Sequence, residues 1–343
     1  MMSAMEPISL LGAFGSPYTR KMTAILRYRH IPYRLIHGSH MEATSRPKPK
    51  VALLPTFYLK NESGEIEAVV DSTPLTRRLE RDYGGRSVIP DDPALRFLDE
   101  LLEDYADEWL TKAMFHYRWY YPADIAQAGA ILPRWRVKPA HGAAIDQAMA
   151  FISQRQIGRL YVVGSNPTTA PVIEASYVRF LKSFGAHLEN HAFLLGERPS
   201  ACDFGVYGQL TQLARFDPTP MKLALDHAPR VFAWVDVVDD LSGYDPPDAA
   251  WLDSASIPDT LKAIFIELGR CYVPVMLANA NALIAGAKTV ETEVDGLPWV
   301  QDPFPYQGRC LHWLRQSYAA LDAQAKGRVD QALAGTGCEV LLG

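Results

Sequence analysis

The sequence predicts an α/β unit over residues 1–90, an all-helical unit over 91–244 and a further, mainly helical stretch over 245–343. Three observations carry that prediction. Apolar runs at 8–14 and 33–37 flank a helical pattern at 17–29, an order that implies two parallel strands joined by a right-handed crossover. After Pro90-Asp91-Asp92-Pro93 the strand patterns mostly vanish. From there apolar residues recur at three- and four-residue steps, as they do on one face of a helix.

Each element has its own signal. Ile8 to Phe14 reads as a strand, and Gly15-Ser16-Pro17 as the joint to a helix. The Ser16 hydroxyl suits the free N–H groups of a helix start, and Pro17 suits the first helical position. Met22, Ile25 and Leu26 mark the buried face, and His30-Ile31-Pro32 ends the helix before a strand at Tyr33–His37. Residues 38–50, with Pro47, Pro49 and several basic residues, read as a loop. Leu54–Leu59 and Ile66–Val70 form a hairpin around Asn61-Glu62-Ser63-Gly64. Asp71-Ser72-Thr73-Pro74 opens a second helix with Leu75, Leu79 and Tyr83 on one face, and Gly84-Gly85 ends it. Leu95, Leu98, Leu102, Tyr105 and Trp109 define a long helix, and further helices are expected near 140–157, 171–193, 203–216, 229–241, 258–286 and 306–322. Between the last two, residues 290–301 can form a hairpin turning at Asp295-Gly296, with Pro298 placing the second strand at an edge.

Composition narrows the partners. The 343 residues carry a net charge of −5, so there is no basic surplus for a phosphate backbone and nucleic acid is not expected. Cys202, Cys271, Cys310 and Cys338 form no C-x-x-C pair, a sparse usage expected of a reducing, cytoplasmic setting. The N-terminus shows no signal-peptide pattern. The most apolar helical stretch, Leu261 to Ala287, holds Lys262, Glu267, Arg270, Asn279 and Asn281, so no membrane span is expected. His187 and His191 stand four apart but lack a third ligand, and no metal site is expected. There is no G-x-G-x-x-G or P-loop.

Three features of the first 90 residues belong together: Ser16 at the strand-to-helix joint, Leu54-Pro55 before a strand, and Asp71-Ser72 at a helix start. In this order, and with a helical second half, they resemble the cytosolic glutathione S-transferase family of serine/cysteine-type, bacterial-like members, over roughly residues 7–244. That resemblance implies a thioredoxin-like domain over 1–90, an all-helical domain over 91–244 and a homodimer that serves detoxification. Glutathione is then the co-substrate, and a small hydrophobic electrophile the partner. Ser16 falls where such members face the glutathione sulfur, with Tyr18 and Thr19 as competitors for that role. Pro55 falls at the family's cis-proline, and the Leu54 backbone would meet the cysteinyl part. Asp71 and Ser72 match the acidic-serine pair that holds the γ-glutamyl end, although Glu-Ser is the commoner form. Arg46, Lys48 and Lys50 are left open as partners for the glycyl carboxylate. Ser200-Ala201-Cys202-Asp203 matches a capping box that concerns folding alone.

The resemblance places an electrophile pocket between the domains. Tyr18, Tyr117, Arg118 and Tyr121 are the candidates for its wall, the last three from an aromatic run at the end of the long helix. The chemistry expected is activation of a thiol. Only the thiolate attacks, and a hydroxyl at a positive helix end favours it over the thiol. Two alternatives stand beside transfer: a non-catalytic glutathione-binding or scaffold protein, and a glutathione-dependent disulfide reductase. The stretch 245–343 exceeds a typical family member. Trp251, Trp299, Phe304, Tyr306 and Trp313 mark it as a segment that packs on the helical domain.

Overall fold

The computed structural model describes residues 6–40, 45–135, 141–247 and 250–343. Part of the loop expected at 38–50, and the first residue of the helix expected near 140, lie outside the described residues. The chain begins with β1 (Ile8–Gly12), α1 (Pro17–Tyr28), β2 (Tyr33–His37), β3 (Thr56–Lys60), β4 (Ile66–Val69) and α2 (Ser72–Asp82). The four strands lie in the order β2-β1-β3-β4. β1 runs parallel to β2 in the register Ile8↔Tyr33 to Gly12↔His37, and β3 is antiparallel to both β1 and β4. The Leu54–Pro55 peptide bond is cis.

Helices follow. α3 (Pro93–Tyr105) continues through a π-helical turn at Ala106–Leu110 into α4 (Thr111–Tyr120). After it come α5 (Pro122–Ile131), α6 (Ala143–Ile157), α7 (Ala170–Leu188), α8 (Ala201–Leu213), α9 (Pro218–His227) and α10 (Pro229–Asp239). The sequence pattern did not reveal α5 and α9. Each starts on a proline at its first position, and each is too short for its few apolar residues to show a period. The expected capping box forms, with the Ser200 amide donating to Asp203 Oδ2 at 2.9 Å. α8 is buried throughout and lies against α1. A Cβ at Gly208 would sit 2.6 Å from the Pro17 carbonyl oxygen, so the two backbones touch there.

The last hundred residues add α11 (Asp259–Glu267), a second π-helical turn at Leu268–Tyr272, α12 (Val273–Ala285), β5 (Val290–Val294), β6 (Leu297–Gln301), α13 (Pro305–Ala319) and α14 (Ala323–Leu333). The hairpin turns at Asp295-Gly296 with both residues at positive φ, as a tight turn that follows the strand twist requires. This stretch packs on the helical unit. Trp299 lies against Trp109 at 5.4 Å between ring centroids, Tyr318 against Phe97 at 5.6 Å, and Arg328 pairs with Asp92 at 2.7 Å. One apolar core runs from Leu10 in the sheet through Leu102 and Phe180 to Leu311 and Leu333.

Candidate active site

Ser16 ends the β1–α1 joint as the N-cap of α1. Its Oγ accepts from the Thr19 amide at 3.3 Å and donates to the Leu54 carbonyl at 3.3 Å. One half-buried hydroxyl therefore stands at the positive end of α1 and beside the segment that precedes cis-Pro55. Thr19 is buried, and its Oγ1 accepts from the Ala13 amide at 3.3 Å. Tyr18 turns to the helical side, where its hydroxyl donates to the Asp107 carbonyl at 2.8 Å and lies 3.3 Å from Thr111 Oγ1. Of the three hydroxyls near this joint, Ser16 alone meets the segment before Pro55.

Asp71 and Ser72 adjoin at the start of α2. Asp71 holds φ +86°, a region that side-chain-bearing residues rarely adopt, and its carboxylate does not cap the helix. Its Oδ2 instead accepts from the Tyr306 hydroxyl at 2.7 Å. Burial raises the Asp71 pKa, while that donated bond and the nearby Lys21 charge oppose the rise. The Ser72 hydroxyl accepts from Lys21 Nζ at 3.3 Å and reaches Asp107 Oδ2 at 3.4 Å.

Lys21 is a functional candidate that sequence reasoning missed. It lies on α1, 1 % exposed, and bridges Glu103 Oε1 at 2.7 Å and Asp107 Oδ2 at 2.6 Å. Burial alone would lower its pKa, but the two carboxylates outweigh that and raise it, so it stays charged. Glu103, paired with both Lys21 and Arg77, is pulled below its usual value. Burial dominates at Asp107 and pushes it up to about 6. The only sequence signal was a lysine on the apolar stripe of α1, one step before Met22.

The predicted pocket wall divides. Arg118 is buried and clamps the joint: Nη1 donates to the Gly15 carbonyl at 3.0 Å, and Nε to both Asp217 oxygens at 3.0 Å. Tyr117 is buried between Tyr121 and Tyr177. Tyr121 donates to Glu174 Oε1 at 2.6 Å, which also meets His116. So Arg118 reaches the residue next to Ser16, whereas Tyr117 and Tyr121 form a separate cluster with Glu174. The side chains that cover the joint are others. A Cβ on Gly15 would lie 2.3 Å from Leu132 Cδ2 and 3.5 Å from Trp135, and the Phe14 ring meets Trp135 at 6.3 Å. Proline and arginine between Leu132 and Trp135 hid this apolar pair from any periodicity.

Arg46 stacks over the Tyr58 ring at 5.6 Å, and Lys48 and Lys50 are exposed. His187 is buried with Nδ1 2.9 Å from Thr260 Oγ1, and burial lowers its pKa to about 4, so it is neutral. Among the described residues no three His, Cys, Asp or Glu gather as metal ligands, and no helix is long and apolar enough to cross a membrane. An open groove of about 840 Å³ between the β3–β4 turn and α2, and a cleft of about 160 Å³ lined by Ser165 and Gln301, both lie away from Ser16.

A thioredoxin-like sheet-and-helix domain joined to a helical region is the architecture of glutathione S-transferases. Residues 10–87 match the family model described as the glutathione S-transferase N-terminal domain. Solved structures similar to this chain carry the same description. One is a glutathione S-transferase from Methylobacterium radiotolerans in complex with glutathione sulfonate, 19% identical, covering 72% of this chain and 99% of that one at a TM-score of 0.40. Another is a glutathione transferase family member from Pseudomonas fluorescens with two glutathione molecules bound, 14% identical, covering 72% and 96% at 0.40. A third is a GST-like protein from Pseudomonas syringae, 16% identical, covering 74% and 82% at 0.43. No curated protein matches the chain.

Proposed function

We propose that this chain is a glutathione transferase in which residues 1–90 bind glutathione, 91–244 supply the helical domain, and 245–343 pack on it. The observation that carries the reading is the convergence at Ser16 of a hydroxyl, a helix N-terminus and the Leu54 backbone. The family match over 10–87 supports the same ligand. Leu54 pairs the cysteinyl backbone of glutathione, which brings the sulfur to Ser16. Asp71 receives the γ-glutamyl ammonium, and the first amides of α2 at Ser72 receive its carboxylate.

The Ser16 hydroxyl, which now donates to Leu54, turns to donate to sulfur and so favours the thiolate. A free thiol has a pKa of about 8.5, and lowering it by about two units corresponds to roughly 2.7 kcal/mol. The thiol proton leaves to solvent. The sulfur lone pair forms the new S–C bond, and in a substitution the leaving group departs with the electrons of the bond it breaks. Ser16 is the donor that stabilises the nucleophile and is not itself the nucleophile. An apolar electrophile lies along Phe14, Leu132 and Trp135, beside the sulfur.

The reading includes the homodimer and the cytoplasmic, detoxifying role implied by the resemblance, and the mass in solution checks the former. A glutathione-binding protein without turnover is the second reading. It is favoured by one observation: the Ser16 hydroxyl, the donor that transfer needs, is engaged with the Leu54 carbonyl within the chain. Calorimetry with glutathione and turnover of an aryl halide, on wild type and Ser16→Ala, separate them. Saturable binding with turnover that falls in the variant supports transfer. Binding without turnover supports the second reading, and no binding at millimolar glutathione refutes both.

A further inference from the structure

The start of α13 is locked in place. Asn279, fully buried, accepts from the Phe304 amide at 2.7 Å and donates to the Phe304 carbonyl at 3.0 Å. Two residues on, Tyr306 is held by the Phe304 and Trp313 rings and by Arg309 over its face, and its hydroxyl is directed at Asp71. The contact spans 235 residues of sequence. It meets Asp71 where the backbone is strained at φ +86°, a feature that clusters at ligand-binding positions.

Two acceptors in the surroundings are left unfilled. Asp107 Oδ1 and Gln307 Oε1 are buried acceptors with no hydrogen-bond partner, although both residues are more than nine-tenths buried. Gln307 spends its amide on the Glu108 carbonyl at 3.3 Å. Among the described residues, the carboxyl groups of Asp71, Glu103, Asp104, Asp107 and Glu108 gather here with Lys21, Arg77 and Lys112, the Thr73 and Tyr272 hydroxyls donate to Asp107 and Asp104, and Tyr306 and Cys310 lie on the α13 side. Unfilled acceptors among these carboxyl groups suit a ligand group with several N–H donors. An ammonium group has three.

We propose that Tyr306 is a positioning residue that completes, from the C-terminal stretch, the subsite for the γ-glutamyl ammonium of glutathione. This rests on the reading of glutathione as ligand. By donating to Oδ2, Tyr306 orients the Asp71 carboxylate and favours its ionised form against burial. The Thr73 amide also faces the Asp71 carboxylate, whose remaining lone pairs accept from the ammonium. The stretch 245–343 then belongs to the binding site and is more than a packing layer.

The test uses the full chain, calorimetry, and two ligands: glutathione and its analogue with hydrogen in place of the γ-glutamyl amine. Tyr306→Phe keeps the ring and removes only the donor. The expected result is glutathione binding weakened about tenfold, the size of a hydrogen bond to a charged group, with the analogue bound equally by wild type and variant. Asp71→Asn reproduces the selective loss, and Tyr318→Phe, whose hydroxyl meets Asp330 at the surface, leaves both ligands unchanged. Equal glutathione binding by wild type and Tyr306→Phe overturns the proposal and leaves the glutathione reading standing. Equal losses for both ligands, or tighter glutathione binding in the variant, also overturn it. Wild type that binds no glutathione overturns both.

Discussion

Replacing Lys21 by methionine tests the energetics of the boundary between sheet and helices. Methionine keeps most of the volume but removes the ammonium that lies 2.7 Å from Glu103 and 2.6 Å from Asp107. Glu103 retains Arg77 at 3.0 Å, so the orphaned charge is mainly Asp107. Breaking a buried pair from one side costs about 3–5 kcal/mol, because a charge is left unpaired away from water. Asp107 can escape part of that cost by taking a proton. In wild type Asp107 titrates at about 6, and without Lys21 it titrates higher still. Between pH 6 and 7.5 the variant therefore goes on binding a proton that wild type has released. At about 1.36 kcal/mol per pH unit and per proton, its extra instability grows by up to about 2 kcal/mol across that range. Urea unfolding followed by tryptophan fluorescence at the two pH values measures both quantities. A loss below about 1 kcal/mol, or one that does not change with pH, would refute the reasoning. Lys21→Met with Asp107→Leu should recover much of the stability, since apolar pairs commonly replace buried ion pairs without loss.

Three further outcomes are expected. Ser16→Ala removes the N-cap of α1 and should cost about 1 kcal/mol in urea unfolding, a loss that Ser16→Asp should largely restore; no loss on Ser16→Ala would mean that the cap does not hold α1. Arg118→Met leaves Asp217 buried and unpaired and frees the Gly15 carbonyl, so a loss of about 3–5 kcal/mol and faster amide exchange at Ser16 are expected, with unchanged exchange counting against the clamp. Asp99 and Asp104 are both raised to about 7, chiefly by burial, so the folded chain binds protons that the unfolded chain releases. Their share of stability is full below the unfolded value near 4 and is lost as pH rises through about 7; the melting temperature should fall from pH 5.5 to 8, and Asp104→Asn should flatten that slope.

The sequence by itself determined the local and periodic features. Ser16-Pro17 reads as a helix start because a side-chain acceptor and a preset φ act within one turn, and the structure has that cap. Asp295-Gly296 reads as a hairpin turn because few residue types tolerate two positive φ angles in succession, and the strands pair around it. The Ser200–Asp203 box and the β-α-β opening belong to the same class, since each depends on neighbours along the chain. Tertiary structure alone decided the rest. A lysine on an apolar stripe does not announce that Glu103 and Asp107 wait on a helix 82 and 86 residues away, nor does D-E-W-L-T announce a π turn that buries both Asp107 and Glu108. Arg118 and Tyr121, three residues apart in the same run, separate into a clamp at Gly15 and a bond to Glu174. Tyr306 meets Asp71 only because α13 is pinned by Asn279 over the start of α2. Local structure follows from short-range sterics and periodicity, which one sequence displays. Pairing across hundreds of residues follows from how helices pack, and that is settled only when the whole core closes.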